Sequence, residues 1–194
     1  MNNLTINDYL KILKEKLDDY RYTHSLGVAK SAKELAALYG ANPEKAYLAG
    51  LLHDITKNDS LEEQLQLFDK FGIILSVADK NSTKLWHAIS GSVYCKEILG
   101  IDDEEIISAI RYHTTGKTNM TLLEQIVYIA DFISEDRTYS DVNVVRNLAK
   151  NNLNDACVYT LNYTVNSLNG LNLAVHPDTL NALKFYSSLI KENK

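Results

Sequence analysis

Six residues of this chain have side chains able to ligate a metal ion, and the two carboxylates among them stand in otherwise apolar stretches. The six are His24, the adjacent pair His53 and Asp54, His87, His113 and Asp131, and they include four of the five histidines. The pair closes an apolar run, Gly50-Leu51-Leu52-His53-Asp54-Ile55-Thr56-Lys57, that turns polar just beyond it. Neighbours in a helix project about 100° apart, so His53 and Asp54 converge on one cation only if it lies off a helix end. Thr56-Lys57-Asn58 supplies such an end. Asp131 follows Ile126-Val127-Tyr128-Ile129-Ala130, where a carboxylate is costly to bury without a partner. A metal ion removes that cost. His24, His53, Asp54 and Asp131 together make a four-ligand set drawn from three helices. Imidazole and carboxylate on a dication is the donor chemistry of hydrolytic centres. The alternative for the pair is a histidine capping one helix and an aspartate capping the next turn.

The elements that must carry these residues read as helix almost throughout. Thr5-x-x-Asp8, Ser60-x-x-Glu63 and Thr121-x-x-Glu124 are capping signatures. Asn42-Pro43 and His176-Pro177 place proline at a first helical position. A helix from about Arg21 to Tyr39, stopping at Gly40, turns Leu26, Ala29, Leu35 and Leu38 to an apolar side. Further helices are expected over about Ser82 to Leu99, carrying His87, and over Glu104 to His113. No apolar–polar alternation or hairpin signal occurs. The expected fold is all-α, a single domain over 1–194 of nine or ten helices, with the motif-bearing core at about 20–140 and C-terminal helices over 141–194.

Composition narrows the classes. Of the residues, 45% are apolar, enough for a sizeable core, and with only eight Gly and two Pro no linker is evident. A net charge of −5 disfavours nonspecific binding to nucleic acid or anionic membrane. No stretch approaches the roughly 18 apolar residues of a spanning helix. Met1-Asn2-Asn3-Leu4-Thr5 does not read as a signal peptide. Cys95 and Cys157 stand alone, as small buried residues in a reducing cytoplasm would.

The order of one His, then His-Asp, then a distant Asp resembles the HD superfamily of metal-dependent phosphohydrolases. The resemblance extends through Arg21-Tyr22-Thr23-His24-Ser25, the Gly50–Lys57 run, Leu85-Trp86-His87-Ala88, Ala109-Ile110-Arg111-Tyr112-His113-Thr114-Thr115-Gly116 and Ile129–Arg137. This string is similar to the YqeK family, bacterial symmetrical hydrolases of diadenosine tetraphosphate. It covers about residues 20–140 and leaves the C-terminal quarter loosely constrained. The resemblance implies an HD-type helical bundle and a second metal held by His87 and His113, with Asp54 bridging the two ions. It also implies iron as the native metal, although the ligands alone leave Fe, Mn, Co and Zn open. Taken singly, His87 reads as a satisfied core histidine, and His113 as a residue interacting with a helix dipole.

Two dications less two carboxylates leave about two positive charges in an acidic protein, suited to a small polyphosphate. The implied reaction is hydrolysis of diadenosine tetraphosphate to two ADP by a hydroxide that two metal ions activate, with Asp54, Asp131 and Lys57 at the reacting groups. Lys57, Arg137 and the turn Thr114-Thr115-Gly116 are candidates for phosphate contact. Arg137 has the alternative of pairing with Asp102 or Asp103, and the turn that of a plain helix stop. Glu135 is expected either to support a histidine ligand or to be exposed, Arg111 to lie on the surface, and His176 to cap the last helix. Two other readings stay open. One is an HD phosphohydrolase of another small nucleotide, and the other a non-catalytic nucleotide or metal sensor. An exposed helix face could support a homodimer.

Overall fold

The computed structural model describes residues 4–192, so the reading of Met1–Asn3 lies outside the described residues. Eleven α-helices follow one another, and there are no strands among the described residues. They are α1 (Ile6–Lys16), α2 (Asp19–Tyr39), α3 (Pro43–Leu52), α4 (Leu61–Lys70), α5 (Val77–Lys80), α6 (Trp86–Val93), α7 (Glu104–Tyr112), α8 (Leu122–Ile133), α9 (Val142–Asn151), α10 (Leu153–Gly170) and α11 (Pro177–Glu192). The count exceeds the expected nine or ten because one turn, α5, forms under a Ser76–Asp79 capping box.

The capping signals act as their chemistry predicts. Thr5, Ser60 and Thr121 each accept from the backbone amide three residues on, and the acid at that position bonds back to the cap amide. Asn42 accepts from the amides of Glu44 and Lys45, with Pro43 at the start of α3. The stretch expected as one helix from Ser82 to Leu99 is divided. A 3₁₀ turn at Thr83–Leu85 leads into α6, which widens into a π turn at Tyr94–Ile98.

One buried apolar cluster runs from Tyr9 to Tyr186 and takes side chains from α1, α2, α3, α7, α8, α9, α10 and α11. Leu38 is not part of it; it lies exposed on the outer face of α2. A smaller cluster, Phe68, Trp86 and Ile89, ties α4 to α6. The helices α2 and α3 meet closely at Gly50. A Cβ there would stand 3.0 Å from Ala29 Cα and 3.1 Å from Val28 O, both backbone atoms. This contact sets the end of α3, and with it His53 and Asp54, beside the middle of α2.

Candidate metal centre

The six metal-competent side chains come from five helices and meet at one buried place. His24 lies in the N-terminal third of α2, His53 and Asp54 at the end of α3, His87 in the first turn of α6, His113 at the end of α7, and Asp131 near the end of α8. The four rings form a row, with centroids 5.3 Å apart for His24–His53, 4.8 Å for His53–His113 and 5.2 Å for His113–His87. All four histidines and Asp54 are buried, and Asp131 is half-buried.

The backbone decides which nitrogen each ring presents. Nδ1 of His53 lies 2.7 Å from the Gly50 carbonyl, that of His87 2.9 Å from the Lys84 carbonyl, and that of His113 2.7 Å from the Ile110 carbonyl. A carbonyl only accepts, so each Nδ1 carries the proton and each Nε2 turns a lone pair inward. His24 is held by a carboxylate instead of a carbonyl, Nδ1 lying 2.9 Å from Asp136 Oδ2. Its Nε2 lies 2.9 Å from Asp131 Oδ1.

Acceptors therefore face acceptors. Asp54 Oδ1 lies 3.2 Å from His87 Nε2 and 3.4 Å from His113 Nε2, and those two nitrogens are 3.3 Å apart. Asp54 Oδ2 points the other way, 3.7 Å from His53 Nε2. Neither His53 Nε2 nor Asp54 Oδ1 has a hydrogen-bond partner, although both are buried. Two donors each about 2.1 Å from one ion, at octahedral to tetrahedral angles, stand about 3.0–3.4 Å apart. The triangle of Asp54, His87 and His113 has edges of that length. Two groups of three, His24–His53–Asp131 and His53–Asp54–His113, are also close enough to share an ion. The donor set and its orphaned atoms fit divalent metal.

The protonation states of His53 and His87 are consistent with ligation. Burial pushes His53 and His87 down to about 4, so both are neutral near pH 7. Burial opposes charge on Asp54 as well, but positive charge around it, Lys57 included, outweighs burial and holds the carboxyl well below its ordinary value. Burial likewise works against a charged His24, yet the bond to Asp131 raises its pKa overall.

Three cations border the cluster. Lys57 Nζ lies 2.9 Å from His87 Nε2 and 3.6 Å from Asp54 Oδ1. Arg21 Nη1 lies 3.3 Å from Asp54 Oδ2, a role the sequence reading did not assign. Its signal was position, three residues before His24 on one helix face. Arg137 pairs with neither Asp102 nor Asp103. It donates Nε to the Asp131 carbonyl at 2.8 Å and Nη2 to the Asp131 carboxylate, while Asp103 is taken by Lys45.

Other expectations divide. Glu135 is exposed beside Lys30, and the carboxylate behind His24 is Asp136, which the sequence reading passed over. Gly116 donates its amide to the Tyr112 carbonyl with φ of +62°, and Thr115 Oγ1 donates to the Gly116 carbonyl. These two residues close α7, and the Gly116 amide is not free to face an anion. Thr114 Oγ1 is buried without a partner. Arg111 is half-buried, 3.4 Å from Asp79 and over the Tyr112 ring. His176 Nδ1 accepts from the Asp178 amide at 3.2 Å, as a cap at the start of α11 does.

The architecture and the cluster define an HD-domain protein: the HD domain family model matches residues 21–136, and the chain belongs to that family. Membership implies a divalent-metal site. The chain is 40% identical over 188 residues to a symmetrical bis(5'-nucleosyl)-tetraphosphatase of Halalkalibacterium halodurans, covering 95% of this chain and 97% of that one. It is 39% identical over 170 residues to the Bacillus subtilis enzyme of the same name, covering 88% and 91%. A crystal structure described as a predicted HD superfamily hydrolase involved in NAD metabolism, from Clostridium acetobutylicum, superimposes with a TM-score of 0.93 at 34% identity, covering 95% and 98%.

Proposed function

We propose that the protein hydrolyses diadenosine tetraphosphate symmetrically into two molecules of ADP. The observation that carries this reading is Asp54, whose two carboxylate oxygens face opposite ways between two sets of inward-turned imidazoles. His24, His53, Asp54 and Asp131 would hold one divalent ion, and Asp54, His87 and His113 a second, with iron as the native metal. Ions bound there supply Lewis acidity and a water acidified toward neutral pH.

The chain's own residues do the rest. The water oxygen adds to one of the two central phosphorus atoms and stays as a terminal oxygen of one ADP. The bridging oxygen breaks from that phosphorus and leaves with the other ADP. Negative charge grows on the phosphoryl oxygens as this happens, and the cations of Lys57, Arg21 and Arg137 border the place where it grows. Arg137 also fixes the Asp131 carboxylate, while Asp136 fixes the ring of His24. The buried thiols of Cys95 and Cys157 suit a reducing cytoplasm, and no described helix is long and apolar enough to cross a membrane.

The test is product analysis of metal-loaded protein with diadenosine tetraphosphate, resolved by ion-exchange chromatography. ADP as the sole nucleotide product is expected. ATP and AMP in equal amounts would refute symmetrical cleavage, and no turnover would leave the site a sensor.

A further inference from the structure

The last turn of α8 carries Asp131 and has no glycine cap. The final carbonyls of a helix lack partners within it, and the Ser134 amide closes only the first of them, by donating to Ala130. Side chains from further along the chain take the next three. Arg137 Nε donates to the Asp131 carbonyl at 2.8 Å, Tyr139 Oη to that of Phe132 at 3.0 Å, and Arg146 Nε to that of Ile133 at 3.1 Å. A cation at this place also suits the negative end of the helix dipole.

Arg146, on α9, goes beyond closing the helix. Its Nη2 donates to the Ser134 carbonyl at 2.9 Å and to the Arg137 carbonyl at 3.3 Å, and its Nη1 to Asn143 Oδ1 at 3.3 Å. One guanidinium thus grips both ends of the turn from Ile133 to Arg137. Its donors lie in a rigid plane, so the carbonyls it takes are fixed relative to one another, which a lysine ammonium could not do. Between those carbonyls the turn sends out Asp136 to His24 Nδ1 and Arg137 to the Asp131 carboxylate. The turn also rests on α2 at Gly27, where a Cβ would already touch Asp136 Oδ1 at 3.4 Å and Ser134 Cβ at 3.6 Å. Released from Arg146, it can move only away from α2 and His24.

We propose that Arg146 is a positioning residue of the candidate centre: by gathering the Ile133, Ser134 and Arg137 carbonyls it sets the turn from which Asp136 orients His24 and Arg137 orients Asp131. Its effect falls on the ion that His24, His53, Asp54 and Asp131 would share, and not on the one assigned to Asp54, His87 and His113. The proposal rests on the metal-centre reading for what His24 and Asp131 ligate, and is independent of the substrate. A residue outside the matched stretch 21–136 thereby governs the geometry of ligands inside it.

Two measurements on Arg146→Met, which keeps an unbranched stem and has no donor, test this. In metal-free protein at one neutral pH, the imidazole nitrogen resonances of His24 should shift from the parent's. Those of His113, held by the Ile110 carbonyl on α7, should stay. In metal-loaded protein, competition against a chelator should show one of two equivalents weakened about 10–100-fold and the other unchanged. Arg146→Lys restores the charge without the fork and should recover little of either. Arg146→Gln gives the same two readouts if Arg146→Met does not fold. Unmoved His24 resonances, equal weakening of both equivalents, or full recovery in Arg146→Lys overturns the proposal. A parent that binds no metal would count against the metal-centre reading alone, because the resonances report the turn without metal.

Discussion

The imidazoles of the cluster are set by hydrogen bonds that no ligand motif encodes. Three rings are locked through a carbonyl three residues earlier in the chain, and the fourth through Asp136. The helix α8 stops at Ile133, and Ser134 turns the chain with ψ of 154°. Glu135 would fall beneath Asp131 only if the helix continued; because it does not, Asp136 comes under His24 instead. Asp136→Ala is expected to weaken metal binding about 10–100-fold, and Asp136→Asn to restore part of it. Competition titration against a chelator reads both variants, and unchanged affinity in Asp136→Ala would remove its role. His24, His53, Asp54 and Asp131 were legible from residue type and surroundings, and His87 and His113 only through the motif string that carries the family resemblance. Arg21 and Asp136 were not, because their roles depend on where α2 meets α3 and where α8 ends.

At the scale of elements, the capping boxes made most helix starts legible, since each is a local bond between residues three apart. The division of Ser82–Leu99 was not, because the π turn at Tyr94–Ile98 leaves no break in composition. Gly50 shows how an element boundary governs the site. Gly50→Ala forces a methyl against the α2 backbone at Ala29 and Val28, and overpacking of this kind costs about 1–3 kcal/mol. At about 2–4 °C per kcal/mol for a chain of this size, the melting temperature should fall by several degrees. Catalytic rate should fall with it, because His53 moves relative to His24. A melting temperature equal to the parent's would show that the two helices have slack.

For the whole molecule, gathering neutral histidines into the core makes the metal-free fold sensitive to acid. His53 and His87 have folded-state values of about 4 against an ordinary 6.5. The unfolded chain therefore binds more protons between those values, and stability present above pH 6.5 is lost as pH falls toward 4. His24 is shifted the other way and opposes this, its contribution being present below 6.5 and lost on raising the pH. With two groups against one, scanning calorimetry of metal-free protein should show the melting temperature falling from pH 7 to pH 4.5. A flat profile would mean the two rings are not neutral in the fold. Added divalent metal should raise the curve at neutral pH and do so less at pH 4.5, where protons compete for the same nitrogens.

The central claim, that Asp54 stands between two divalent ions, is tested most directly by metal stoichiometry. Elemental analysis of anaerobically purified protein should find two equivalents per chain, and His113→Ala should retain one while losing turnover and keeping its helical content. A single equivalent in the parent, or full activity and unchanged metal content in His113→Ala, would contradict it.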